Sequence, residues 1–371
     1  MRRRALATVS AELLLSRRPT GDNARRWSSG TGGGTLRSAL KLAFGTGVSF
    51  GCLYFAVRGT DWGRVGATIA AARPEWLFAV LLASVFSYYV RGQRWRVLLR
   101  PVGQVGLYQA VSATAIGFGS NMVLPLRLGE IIRPALLARN TKVSMSAALS
   151  SVLLERLFDM LLVIACFLVV SLVLPIDDKL RQTAVVLALG ASAGFGVLLV
   201  MARRREAAHR LIHRVLGWLP ARIGGALTPI ADGLLDGLSG LGDWKTIALV
   251  LAYSAYLWFV ITTTYIFSVL ALHIDAPAIP AGLAAMVTVA AAAFVPQGPG
   301  FVGTWQAACV VALKFFHVPD EQAVGYALLT WAVQMAINIG IAGVDLARED
   351  VAVGQLLRVS EAQAPATGAE S

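Results

Sequence analysis

The sequence predicts an all-α polytopic integral membrane protein, with about six full spans and two broken, re-entrant helical hairpins forming an inverted repeat. Three observations lead there. Of 371 residues, 56% are hydrophobic and only 15% charged, against about 25% charged in an ordinary soluble domain. Mean hydropathy is +0.65. Six apolar stretches approach the ~20 residues that a helix needs to cross the hydrocarbon layer, and two more are interrupted in the middle by Pro and Gly. This composition excludes a soluble enzyme, a disordered chain and a disulfide scaffold. The 33 Lys and Arg against 21 Asp and Glu leave +12, which reads as cytoplasmic loops facing anionic headgroups rather than a nucleic-acid surface.

The elements follow in order. Residues 1–37 are rich in Arg, Gly and Ser, and form an expected basic, flexible cytoplasmic tail in preference to a cleaved leader. The membrane domain runs over 38–347. Its full spans are expected at 39–57, 76–98, 145–174, 182–201, 246–272 and 323–346. Segment 59–75 is a small amphipathic candidate for the outer surface. Segment 203–243 is basic and amphipathic, with Trp218 and Trp244 near its ends, and is expected to lie on the inner surface. Residues 348–371 are polar and read as a disordered tail.

Region 104–139 is interrupted at Val123-Leu124-Pro125-Leu126-Arg127-Leu128-Gly129-Glu130, and region 281–316 at Val295-Pro296-Gln297-Gly298-Pro299-Gly300. Proline removes a helical donor and clashes with the preceding turn, while glycine permits a reversal. Each region is therefore expected as two half-helices. A plain chain-reversing turn is the alternative for the second. Arg91, Arg94, Arg96 and Arg100, then Arg139 and Lys142, then the arginines of 203–222 mark one side. Asp177, Asp178, Asp275, Asp320 and Glu321 mark the other. With the basic clusters inside, both termini are cytoplasmic. The first hairpin then enters from the cytoplasm and the second from outside, the inverted arrangement of many transporters.

The densest polar signal lies at 121–159. Arg127, Glu130 and Arg133 are three apart, so on a helix they form one stripe of alternating sign. Glu155 and Asp159 are four apart on an apolar span, with Arg156 one step aside. A charge near the bilayer centre costs about 2.5–3.5 kcal/mol, so these groups either neutralise one another and lock helices together or line a headgroup or ion site. In the second hairpin, half-helix N-termini suit an anionic phosphate or carboxylate. Gln334 and Asn338 are expected to make interhelical hydrogen bonds.

Other signals are weaker. Cys52, Cys166 and Cys309 have no metal-like spacing and read as packed hydrophobes. His209 and His213 sit among arginines without a carboxylate or cysteine partner, and read as a solvated helix face in preference to a metal site. Gly237-Leu238-Ser239-Gly240 matches a four-residue protease pattern by chance. No catalytic residue, metal or cofactor is expected.

Asn-x-x-Leu-Pro-x-Arg-Leu-Gly-Glu-x-x-Arg at 121–133, Glu-Arg-Leu-Phe-Asp at 155–159 and Pro-Gly-Phe-Val-Gly-Thr-Trp-Gln at 299–306 resemble the lysylphosphatidylglycerol synthase transmembrane family, also called flippase-like domain proteins. Arg-Gly-x-Arg-Trp-Arg-x-Leu-Leu at 91–99 is similar too, and the resemblance spans roughly 40–346. It implies an integral protein of the cell membrane that moves an anionic lipid or lipid-linked headgroup between leaflets. The expected transport set is Asn121, Arg127, Glu130, Arg133, Glu155, Arg156, Asp159, Pro299, Gly300, Gly303 and Gln306. Expected partners are membrane lipids with anionic headgroups, with a second copy or lipid-biosynthesis proteins beside them, and no nucleic acid. Two departures stand out. The chain has no room for the soluble aminoacyltransferase domain of bifunctional members, so lipid synthesis is not expected. It also carries Gln306 where many relatives carry Glu, which argues against an acid-dependent role there. The alternatives are a scaffold or subunit of a lipid- or glycan-lipid-modifying complex and, less favoured, a lipid-carrier transferase using Glu130, Glu155 or Asp159 as acid or base.

Overall fold

Every regular element among the described residues is a helix. The computed structural model describes residues 46–349 except 125–126, 174–177, 219, 221–223, 226–227, 229–230, 233–243 and 295–296. The tail 1–37, residues 350–371, Pro125, Pro296, Asp177 and the 237–240 pattern therefore lie outside the described residues.

Helix α1 (Thr46–Val57) precedes α2 (Trp62–Ala70), whose first turn is capped by Asp61 accepting from the Gly63 N–H at 2.8 Å. Helix α3 (Pro74–Leu99) starts on a proline, where no helical donor is lost. It leaves α2 at a bend of 80°. The first broken region becomes α4 (Leu107–Val123) and α5 (Gly129–Asn140). Long helices α6 (Met145–Val173) and α7 (Asp178–Arg203) follow, then the basic α8 (Arg205–Leu216). Helix α9 (Trp244–Ala271) leads to the second broken region, with α10 (Ala278–Ala292), a 3₁₀ turn at Pro299–Phe301 and α11 (Thr304–Lys314). Helix α12 (Asp320–Arg348) closes the described chain.

A helix thus runs through the described part of each of the six expected full spans, which for 39–57 is 46–57. By length and composition, α9 and α12 are long and apolar enough to cross a membrane, and the bent α2–α3 pair makes a third. At 1.5 Å per residue the four hairpin arms reach only about 16–26 Å, each short of the ~30 Å hydrocarbon core. The outer faces carry large exposed apolar side chains, such as Phe78 on α3, Leu172 on α6, Val186 and Leu189 on α7 and Phe259 on α9. That is the surface of a protein solvated by lipid.

The largest helix pair is α3 against α9, and α12 packs along α4. The interior faces follow the helical period. On α3 the face is Ser84, Ser87, Tyr88, Arg91 and Trp95; on α6 it is Ser151, Glu155, Phe158 and Asp159. Small residues let the backbones close in. A Cβ on Gly119 would overlap the Ala342 side chain, and one on Gly282 would sit 2.6 Å from Ile266.

Three expectations are corrected. Arg91, Arg94, Arg96 and Arg100 are not four exposed markers beyond the end of a span, because α3 runs unbroken to Leu99, Arg94 is wholly buried and only Arg100 of the four is exposed. The Arg127–Glu130–Arg133 stripe does not run along one helix, because Arg127 lies in the break at φ 55° and α5 starts at Gly129. His209 and His213 do have a carboxylate partner: both rings face Asp232, which the chain brings back from 19 residues beyond His213.

Candidate functional site

Four interior helices bring a knot of charge together. Glu155 on α6 has no solvent exposure, and its Oε1 receives guanidinium groups from Arg94 at 3.0 Å, Arg133 at 3.0 Å and Arg156 at 3.2 Å. One helical turn on, Asp159 pairs with Arg94 at 2.5 Å and accepts the Trp258 indole N–H of α9 at 3.1 Å. Arg94 also donates to the Ser254 hydroxyl of α9 at 3.2 Å. The guanidinium of Arg133 lies 3.8 Å from the centre of the Trp95 ring, while the Trp95 indole donates to Ser151 at 2.8 Å. Helices α3, α5, α6 and α9 are thereby tied through side chains that are costly to bury singly and tolerable when paired. Arg94 Nε, Arg133 Nε and Nη2, Arg156 Nε and Glu155 Oε2 are buried without a hydrogen bond among the described residues.

The hairpin breaks supply a second layer. Gly129 opens α5 so close to α4 that a Cβ there would overlap the Gly117 carbonyl oxygen, and its N–H donates to Asn121 Oδ1 at 2.8 Å. Asn121 therefore closes the hairpin. Arg127 reaches out of the break, with Glu130 4.0 Å away and the Phe301 ring centre 5.5 Å away. In the second break Pro299 begins the 3₁₀ turn, and Gly300 adopts φ +67° with its carbonyl accepting the Trp331 indole N–H at 2.7 Å. Gly303 adopts φ +84°, where a side chain would overlap the Ser49 carbonyl of α1, and donates its N–H to Gln306 Oε1 at 2.6 Å. Gln306 is a buried cap on α11, a task that Glu could perform as well. The Thr304 hydroxyl donates to Gln297 Oε1.

Two of the cavities that adjoin these breaks hold arginines. One of about 120 Å³ gathers Asn121, Arg127, Glu130, Arg133 and Arg156, with Phe118 and Phe301 in its wall. Five of the eleven expected transport residues thus share one space. The other, of about 160 Å³, is lined by Tyr88, Arg91, Trp305 and Asn338, again with Phe118 and Phe301. Each has room for several waters. Asn338 accepts from the Tyr88 hydroxyl at 2.6 Å and Gln334 Oε1 from the Ser84 hydroxyl at 3.3 Å, so the expected interhelical bonds form between α3 and α12. Arg91 lies over the Phe118 ring at 4.5 Å, and no carboxylate stands within ion-pair distance among the described residues. Glu155 and Asp159 touch neither cavity, and Pro299, Gly300, Gly303 and Gln306 shape the second break without lining either.

Sequence reasoning missed Arg91 and Arg94 as interior groups, having counted both as orientation markers. The signal was present. Both fall on the α3 face that also carries Ser84, Ser87 and Tyr88, small and polar residues that a lipid-facing stripe would not hold.

Residues 39–342 match the family described as the lysylphosphatidylglycerol synthase TM region. The chain belongs to that family. The match takes in both hairpins, the charge knot and both cavities. The chain is also 29% identical over 137 residues to the glycosyltransferase AglD of Haloferax volcanii, covering 36% of this chain and 22% of that protein. It thus spans about a fifth of the length of this curated relative.

Proposed function

We propose that this protein is a lipid translocase, passing an anionic lipid or lipid-linked headgroup between leaflets while the tails stay in hydrocarbon. The observation that carries the reading is Arg91, a cation with no carboxylate within ion-pair distance among the described residues, in a polar and aromatic cavity that shares Phe118 and Phe301 with a second cavity holding Arg127. A guanidinium takes phosphate oxygens in a planar, two-pronged contact that lysine does not match. A headgroup held first by one arginine and then by the other would pass the Phe118 and Phe301 rings between them. Irregular backbone at membrane depth is tolerated where it lines a cavity, and both breaks border one. Entry of the hairpins from opposite faces, with α8 and both termini cytoplasmic, would give each leaflet one approach.

Arg133 and Arg156 line the Arg127 cavity while pairing with Glu155 and Asp159, so they hold the framework and keep Arg133 Nε and Nη2 and Arg156 Nε without a hydrogen bond among the described residues. The pairing with Glu155 and Asp159 also supports the second reading, a scaffold or subunit of a lipid- or glycan-lipid-modifying complex. Likeness to 22% of a glycosyltransferase is compatible with either and carries no transferase chemistry by itself. Binding separates them. Native mass spectrometry of detergent-purified protein should retain an anionic phospholipid in wild type and lose it about 10- to 100-fold in Arg91→Gln, the loss of one charge-assisted hydrogen-bonding group. Equal retention of anionic and zwitterionic lipid by both proteins would remove the headgroup site.

A further inference from the structure

A side-chain cluster lies apart from both cavities, on α8. His209 and His213 are one helical turn apart, so their imidazoles lie on one face. The rings stack with centroids 4.0 Å apart. Both Nε2 atoms point at one oxygen, Asp232 Oδ1, at 3.3 Å from His209 and 2.8 Å from His213. The three candidate donor atoms lie within 4.8 Å of one another. Helix α8 is held in register for this, because Ala208, next to His209, is buried in the helical core with Ile212 packed beside it.

We propose that His209, His213 and Asp232 form a binding site for a divalent transition metal ion, zinc above all. Zinc bonds to His nitrogen and carboxylate oxygen at about 2.0–2.1 Å, which sets tetrahedral donors about 3.3 Å apart. The observed N···O separations of 2.8 and 3.3 Å need little or no opening to meet that spacing. Two imidazoles and one carboxylate suit zinc, cobalt or nickel, whereas magnesium and calcium require oxygen ligands. Three protein ligands leave a fourth position for water or a partner's donor, and half-exposed side chains keep it reachable. Bound metal would cross-link α8 to the chain around Asp232, closing a loop that begins and ends on the basic segment. The site does not depend on the translocase reading.

The test is a titration of the full-length, tag-free protein in detergent, stripped with EDTA, with zinc in competition against a chromogenic chelator. One saturable equivalent per chain is expected. Affinity should fall at least tenfold in His213→Asn and in Asp232→Asn, and a large excess of magnesium should not compete. Cobalt should give the visible absorption of a four-coordinate site. Absence of a saturable equivalent in wild type overturns the proposal, whatever the variants do. Equal binding by wild type and a monodisperse His209→Asn/His213→Asn double variant overturns it as well.

Discussion

The guanidinium of Arg127 stands 5.5 Å from the centre of the Phe301 ring, so the breaks of the two hairpins touch. Neither residue is placed there by a regular helix. Arg127 has φ 55° and Phe301 φ 58°, and non-glycine residues in that region are uncommon outside functional or tightly determined sites. A cation over an aromatic face is worth about 0.5–2 kcal/mol. Phe301→Leu, which keeps apolar bulk and removes the ring, should lower the melting temperature in detergent only slightly while slowing lipid movement severalfold. An unchanged rate would mean that this contact is packing alone.

The charge knot should behave as a framework. Glu155 serves three arginines at once and is the carboxylate partner of Arg133 among the described residues, so Glu155→Met strands Arg133 and should cost about 3–5 kcal/mol, seen as loss of monodisperse protein. Removing Arg133 as well leaves Arg94 and Arg156 still facing Asp159. The double variant Arg133→Met/Glu155→Met is therefore expected to be more stable than Glu155→Met alone. Chemical denaturation of the purified variants decides the order.

Glycines divide by what stands over them. Gly129→Ala drives a methyl into the Gly117 carbonyl and should prevent the α4–α5 hairpin from closing. Nothing lies within 4 Å of a Cβ on Gly343 in α12, where alanine should instead be neutral or stabilise by up to about 1 kcal/mol. Thermal melts should therefore separate the two variants, with Gly129→Ala lowered and Gly343→Ala level or raised.

Gln306 offers a comparison of cap against acid. Gln306→Glu keeps an oxygen for the Gly303 N–H and should leave stability nearly unchanged. Gln306→Ala orphans a buried donor at a cost of about 1–3 kcal/mol. If the Glu variant gained a pH dependence in lipid movement that wild type lacks, the residue would be more than a cap.

The sequence was most legible where the signal is local. Apolar length placed a helix at each expected span, and Pro with Gly marked both hairpin breaks, because chain-breaking residues act within a turn or two. The expected transport residues came together only in part. Asn121, Arg127, Glu130, Arg133 and Arg156 share a cavity, while Glu155 and Asp159 sit behind it as counter-charges. Pairing across 65 residues, as between Arg94 and Asp159, depends on how α3 and α6 are rotated about their axes, which no local pattern sets. The same holds for Asp232, whose approach to His209 and His213 requires a chain reversal that spacing alone does not announce. Arg91 was hidden for another reason. A basic residue near a span end satisfies the orientation rule equally well whether it faces solvent or the interior.

The central claim is that a headgroup crosses by way of Arg91 and Arg127, and transbilayer movement tests it most directly. Proteoliposomes containing a fluorescent anionic phospholipid, or a zwitterionic control, are treated with a membrane-impermeant quencher, using wild type, Arg91→Gln and empty vesicles. The account predicts that wild type exposes anionic lipid from the inner leaflet faster than empty vesicles and faster than the zwitterionic control, and that correctly folded Arg91→Gln loses most of this acceleration. It is contradicted if folded wild-type protein moves neither lipid faster than empty vesicles under any imposed gradient, or if Arg91→Gln matches wild type.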